Sequence, residues 1–158
     1  MRIPSFFILL LVINFVILLA QIGSLSIGYH EAKIIYGAPT ILKSYINTSL
    51  YLFGSNDYAL RIPMIVLHIL SVVLLYSISS RYVTKDTDRL WLIAVYILLP
   101  GVTSAALLVN YAGVLIALVF FFVWTYQRIG WNALFLLPLY VWINPAFCYL
   151  FLSIALYG

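Results

Sequence analysis

The sequence predicts an all-α fold: a polytopic membrane helix bundle of about five spans, forming a single module over residues 1–158. One reason is composition, because 66% of the residues are hydrophobic and 8% are charged, whereas soluble domains carry about 25% charged residues. Another reason is that the charged residues lie in connectors and one loop between long apolar runs. A soluble enzyme is therefore excluded. The net charge of +4 indicates membrane topology, and nucleic acid is not an expected partner.

The first two predicted spans enclose a polar outer loop. A span needs about 20 mainly apolar residues, and the runs 6–27 and 62–80 meet this requirement on either side of the loop 28–61. Within the loop, apolar residues recur at three- and four-residue steps between Pro39 and Gly54. This pattern predicts an outer amphipathic helix between spans 1 and 2. Such a helix either lies on the membrane surface with its apolar face down or packs on neighbouring spans.

The stretch 90–126 carries no charge and is too long for one span. As a single helix it would be roughly 55 Å long at about 1.5 Å per residue, against a hydrocarbon core of about 30 Å. The segment must therefore fold back, and Asn110 marks the expected turn, while Pro100 marks either a kink or an early end of the third span. The predicted third, fourth and fifth spans are 90–108, 111–126 and 132–156.

The basic residues predict the orientation of the bundle. Five of them fall on the side of the N-terminus, and three fall on the side of the outer loop. Because basic residues concentrate in cytoplasmic segments, we expect a cytoplasmic N-terminus and a multi-pass protein of the cell inner (plasma) membrane. The first group is Arg2, Arg81, Lys85, Arg89 and Arg128, and the second is Lys33, Lys43 and Arg61.

The outer loop contains the residues that we single out for chemistry. Glu31 follows His30 just beyond the first span, and a partly desolvated carboxylate there is suited to act as a general base. The adjacent His30 would orient it, share a proton or help to bind a divalent cation; alternatively, both are ordinary solvated interfacial residues. Lys33, Lys43 and Arg61 either bind an anionic lipid phosphate or simply flank the membrane. No metal site and no cofactor are predicted from the spacing of ligand types.

His68 is the one histidine inside a predicted span. Ionisable residues at membrane depth are functional candidates by default. No carboxylate lies near it in sequence, however, so a hydrogen-bonded packing role is the favoured interpretation of His68.

Several short motifs occur in a fixed order around the outer loop. They are Tyr29-His30-Glu31-Ala32, Leu50-Tyr51-Leu52-Phe53-Gly54-Ser55-Asn56-Asp57, Ala59-Leu60-Arg61-Ile62-Pro63 and, in the third span, Leu98-Leu99-Pro100-Gly101. Over roughly residues 1–128, this combination resembles the N-terminal part of the GT-C glycosyltransferases, especially the branch of protein O-mannosyltransferases and aminoarabinose transferases.

The resemblance implies a membrane enzyme that takes a sugar from a polyprenyl-phosphate donor on the outer face. The sugar would pass to a hydroxyl acceptor with inversion of the anomeric centre. Glu31 matches the second acid of the family's Asp-Glu pair, and His30 stands where the family has its catalytic Asp, so either residue is the expected base. Arg61 matches the family's Arg before the second span, and with Lys33 and Lys43 it is expected at the lipid phosphate.

A second interpretation is a non-catalytic membrane protein: a degenerate or truncated transferase, or a small assembly or lipid-handling subunit. The chain stops at Gly158 directly after an apolar run. We therefore expect a fragment, a truncated product or one piece of a split enzyme, with a second chain as the partner that completes the bundle.

Overall fold

The computed structural model describes residues 4–37, 39–143, 145, 147–149 and 152–153. Every regular element within these residues is helical, which confirms the all-α prediction. The elements are α1 (Ser5–Ile22), α2 (Tyr29–Tyr36), α3 (Ile41–Phe53), α4 (Asp57–Ser79), α5 (Asp86–Leu98), α6 (Pro100–Leu107), α7 (Tyr111–Ile129), a 3-10 helix (Gly130–Leu136) and α8 (Leu137–Ile143).

Three helical stretches of the described residues are long and apolar enough to cross a membrane: Ser5–Ile22, Asp57–Ser79 and Tyr111–Ile143. Helices α5 and α6 make a fourth if they are counted as one bent span. These stretches support a membrane protein. Five spans stay a prediction, since the described residues include three candidate spans, or four with the bent pair, and the end of the fifth predicted span, 132–156, is described only in part. The orientation and the particular membrane stay predictions.

Helix α4 is the central element, since α1, α3, α5, α6 and α7 all pack against it. Three core clusters follow its length. Towards its C-terminal end Val72 packs with Phe7 of α1 and Ile93 of α5. In the middle, Ile65 packs with Leu18 of α1, and near its start Leu60 packs with residues of α3. Lipid is as apolar as these side chains, so their close van der Waals fit is what holds the helices together inside a membrane.

The first predicted span ends earlier than expected, because α1 stops at Ile22 and not near residue 27. The four residues from Leu25 to Gly28 form no helix, and this segment carries the chain to the start of α2. The second predicted span begins earlier than expected. Asn56 caps α4, because its Oδ1 accepts a 2.7 Å hydrogen bond from the amide of Ala59, so the helix starts at Asp57.

The third predicted span is broken. Helices α5 and α6 meet at Leu99 with a bend of 64°. Pro100 is the cause: it disfavours the helical conformation in the residue before it, and Leu99 is extended (φ −65°, ψ 123°). Pro100 then occupies the first turn of α6, where a missing N–H costs nothing. Both sequence interpretations of Pro100, a kink within one span and an early end of that span, are compatible with this bend.

The predicted outer helix occurs as α3, within two residues of its expected start. Thr40 caps it by accepting a 3.1 Å hydrogen bond from the amide of Lys43, and Gly54 ends it with a φ of +82°. Its buried residues Leu42 and Ile46 lie against α4, as the packed alternative requires. Its position outside the membrane stays a prediction.

The predicted turn at Asn110 is confirmed. Its Oδ1 accepts hydrogen bonds from the amides of Ala112 and Gly113, at 2.9 and 3.3 Å, so α7 begins at Tyr111. This helix runs to Ile129, beyond the predicted residue 126. Gly130 then takes a φ of +60°. The following residues pack back on α7, and the rings of Phe122 and Tyr140 lie 6.3 Å apart.

Candidate functional site

The first turn of α2 positions Glu31. Gly28 precedes the helix in an extended conformation, and its amide donates a 3.1 Å hydrogen bond to Oε2 of Glu31. A carboxylate in the first turn also suits the positive end of the helix dipole. The short helix therefore starts where it does partly because Glu31 closes its N-terminus.

Glu31 is not exposed at the interface. Its relative exposure is only 3%. Oε1 accepts a 2.8 Å hydrogen bond from the amide of Val109, in the connector between α6 and α7. Oε2 lies 3.5 Å from Nη2 of Arg61. One side chain thus joins α2, α4 and the α6–α7 connector, three segments distant in sequence.

Arg61 is completely buried and closes the C-terminal end of α1. Its Nη1 donates to the carbonyl oxygens of Ile22 and Leu25, at 3.0 and 3.1 Å, and its Nη2 donates to that of Ser26 at 3.2 Å. The last carbonyls of a helix have no partner within it and carry partial negative charge. Arg61 binds one such carbonyl, that of Ile22, and two more in the connector that follows α1. Together with Glu31, it leaves little net charge in the interior. Its Nε–H has no hydrogen-bond partner among the described residues.

The structure brings Glu31 and Arg61 together but leaves the two lysines apart from them. Lys33 is exposed on α2. Lys43 is half-buried on α3, and its Nζ donates a 2.7 Å hydrogen bond to the carbonyl of Gly37, just past the end of α2. His30 lies in the first turn of α2, directly before Glu31; its side chain is outside the described part of the structure.

A pocket that the sequence spacing did not predict lies beside these helices. Its volume is about 430 Å³, and Thr40, which caps α3, and Ser44 of α3 line it together with Tyr111 of α7 and Trp142 of α8. This pocket was not predictable from the sequence, because Trp142 comes near α3 only after the chain folds back at Gly130. Tyr45 lies on the same helix, and partial burial raises the pKa of its hydroxyl.

A second polar group lies in the centre of the bundle. Asn14 of α1 and His68 of α4 form a buried hydrogen bond of 2.9 Å between Nδ2 and Nε2. Ser71 shares a 2.8 Å hydrogen bond with the hydroxyl of Tyr96 on α5, and the rings of His68 and Tyr96 are stacked with centroids 6.1 Å apart. These contacts are those of the packing role favoured for His68.

Within the described residues, no group of three His, Cys, Asp or Glu side chains is placed to hold a metal ion. Comparisons of the chain with models of known families, with curated proteins and with solved structures found no match. The resemblance to the GT-C glycosyltransferases therefore depends on the sequence motifs alone.

Proposed function

We propose that this chain is a membrane glycosyltransferase module that transfers a sugar from a polyprenyl-phosphate donor to a hydroxyl acceptor on the outer face, with inversion. The contact between Glu31 and Arg61 is the observation that carries the proposal. It joins the first and third of the motifs on which the resemblance depends, although 29 residues separate the two side chains in sequence. Motifs that meet in one buried ion pair are expected to serve one site.

In this proposal Glu31 positions the site. A general base must reach the proton it removes at about 2.6–3.2 Å, and both oxygens of Glu31 already face donors of the protein. The carboxylate holds the first turn of α2 in place. We assign the base to His30, the preceding residue, because imidazole accepts a proton near neutral pH.

The chemistry would proceed as one displacement at the anomeric carbon. The acceptor oxygen bonds to this carbon as the bond to the donor's phosphate oxygen breaks, and the acceptor's proton passes to His30. Negative charge then grows on the departing lipid phosphate. Lys33 and Lys43, on adjacent helices, are the cations proposed to stabilise it. Arg61 is assigned a structural role, since its terminal nitrogens already donate to three backbone carbonyls.

The pocket beside α3 is the proposed place for the sugar ring. Its volume of about 430 Å³ falls within the range of about 300–1,000 Å³ that is typical of small-molecule sites. Thr40 and Ser44 supply hydroxyl groups, and Tyr111 and Trp142 supply aromatic surface. Tyr111, which lines the pocket, follows Val109, the donor to Glu31, by two residues, and this short link supports the proposal that pocket and ion pair belong to one site.

A non-catalytic membrane protein is the second candidate. The specific observation in its favour is again the contact between Glu31 and Arg61. Glu31 and Arg61 are buried, and their bonds to Val109, Ile22 and Leu25 are those of a purely structural pair.

The test is turnover in proteoliposomes containing the full chain. The donors are polyprenyl phosphates carrying mannose, glucose or aminoarabinose, with water and a sugar alcohol as acceptors. We expect His30→Ala to abolish turnover without changing Tm, and Lys33→Gln to lower it. Arg128→Gln, the loss of one positive charge at the end of α7, should have no effect. Full turnover in His30→Ala would overturn the base assignment. Failure of every donor to react or to bind would favour the second candidate.

A further inference from the structure

A groove runs between α1 and α5 through the apolar part of the bundle. Its volume is about 660 Å³, and it is lined by Phe6, Leu9 and Ile13 of α1 and by Leu90 and Trp91 of α5, among others. All lining residues are apolar except Thr87 at the start of α5. This set of residues is called the α1–α5 groove below.

The groove continues along α1. A neighbouring cavity of about 330 Å³ shares Leu10, Ile13 and Ala94 with it and extends as far as Gln21. From Phe6 to Gln21 the path along α1 is about 22 Å at about 1.5 Å per residue. Ala94 lies where the two cavities meet.

The groove exists because α1 and α5 pack on α4 more closely than on each other. Phe7 and Ile93 are buried against Val72 of α4, whereas Phe6 is 73% exposed and Trp91 is 72% exposed. In a bilayer, such a slot between two helices is open to lipid from the side.

The end of the groove at Thr87 carries free positive charge. Arg81 and Lys85 are exposed in the connector between α4 and α5. Asp86 is exposed but pairs with Arg89, at 3.1 Å. Asp88 is then the one exposed carboxylate without an ion-pair partner among the described residues of this connector and the first turn of α5. Tyr82 and Trp91 are exposed here as well, and aromatic residues of this kind are typical of the membrane interface.

We propose that the α1–α5 groove binds one acyl chain of an anionic phospholipid, with the lipid phosphate against Lys85 and Thr87. An apolar slot suits a hydrocarbon chain, and the charge at its Thr87 end complements a negative head group. The site is independent of the proposed transferase activity, since it shares no residue with the groups assigned to that reaction.

Native mass spectrometry of the full chain tests this proposal, with phosphatidylglycerol and phosphatidylcholine of identical acyl chains as probes. We expect phosphatidylglycerol to be retained preferentially. Ala94→Phe should remove the retained lipid by filling the groove, whereas Val16→Phe, an exposed position on α1 outside the groove, should not. Lys85→Gln should lower the preference by about fivefold, the factor expected for one interfacial charge, while Arg128→Gln on α7 should leave it unchanged.

A second measurement covers the case in which Ala94→Phe fails to fold. In a variant whose tryptophans other than Trp91 are replaced by phenylalanine, brominated phosphatidylglycerol at low mole fraction should quench fluorescence saturably, with unlabelled phosphatidylglycerol as competitor. Equal retention of both lipids would overturn the proposal that the bound lipid is anionic. Unchanged lipid retention in Ala94→Phe would show that the lipid does not bind in the α1–α5 groove. Quenching that rises linearly without saturation would show the same. If the unchanged protein is a dimer and Ala94→Phe dissociates it, the occupant of the groove is a second copy of the chain, and the lipid proposal is overturned.

Discussion

Ser49 of α3 donates a 2.6 Å hydrogen bond to the carbonyl oxygen of Ala59 in α4. In an uninterrupted helix this carbonyl would accept from the amide four residues later. That residue is Pro63, which has no N–H. The hydroxyl of Ser49 therefore replaces the missing helical donor, and the replacement fixes α3 against α4 through a buried contact.

We expect Ser49→Ala to destabilise the protein by about 1–3 kcal/mol, the cost of leaving a buried acceptor without a partner. Pro63→Ala restores an amide that can donate to Ala59, so the same Ser49→Ala change should cost less in that background. Unfolding in mixed detergent micelles measures the four free energies of this cycle. Additive effects of the two changes would show that Ser49 does not compensate for Pro63.

The buried pair of Glu31 and Arg61 leads to a second prediction. Removing one partner of a buried ion pair leaves an uncompensated charge and costs about 3–5 kcal/mol, so Glu31→Ala and Arg61→Met should each be strongly destabilising. The double variant should be more stable than the sum of the two single effects predicts. The readout is again the free energy of unfolding in micelles.

Glu31→Gln separates structure from catalysis. An amide oxygen can still accept from the amide of Val109, so this variant should be more stable than Glu31→Ala. If Glu31 only positions the site, turnover in Glu31→Gln should follow its folded fraction. If Glu31 is the base, turnover should vanish while the protein remains folded.

Close approach of α7 to its neighbours gives a third prediction. A Cβ built on Gly113 would lie 2.8 Å from the carbonyl oxygen of Ala105 and 2.8 Å from Cε of Met64. The methionine can move, but the backbone oxygen cannot, so Gly113→Ala should cost about 1–3 kcal/mol. Gly101→Ala meets no atom within 4 Å and is the matched control, expected to be neutral or slightly stabilising. Equal stability of the two variants would contradict this tight packing.

Local turn chemistry was predictable from the sequence. Gly54 ends α3 and Asn110 caps α7, because a glycine with positive φ and an Asx side chain act within a few residues of their own position. The break at Pro100 is local for the same reason. These signals were sufficient for the end of α3 and for the start of α7. Pro39 was expected in the first turn of α3, but the helix begins at Ile41, after the cap Thr40.

Long-range contacts were not predictable in the same way. At the early end of α1, the carbonyl of Ile22 accepts a hydrogen bond from Arg61, 39 residues further on. The burial of Glu31 depends on the amide of Val109, 78 residues away. A carboxylate that appears interfacial in the sequence thus becomes buried through partners that no local pattern reveals. The pocket at Trp142 likewise needs the reversal at Gly130.

The sequence predicted a hydrogen-bonded packing role for His68 but did not name Asn14 as its partner. In the structure, position along the neighbouring helices relates the two residues. Arg61 binds the carbonyl of Ile22, so these two positions lie at the same level of neighbouring helices. Asn14 is eight residues before Ile22, and His68 is seven residues after Arg61. At about 1.5 Å per residue, the two polar side chains lie at nearly equal depth.

This contact leads to the last prediction. Hydrogen bonds between membrane helices contribute about 0.6 kcal/mol on average and up to about 1.7 kcal/mol. We therefore expect a coupling free energy in this range between Asn14→Leu and His68→Leu in a double-variant cycle of unfolding. Asn14→Leu paired with Ser104→Ala, whose hydroxyl donates to the carbonyl of Gly101 in the same helix, provides an uncoupled control cycle. A coupling of zero for Asn14 and His68 would show that neighbouring groups satisfy His68 equally well, and that its burial alone explains its place in α4.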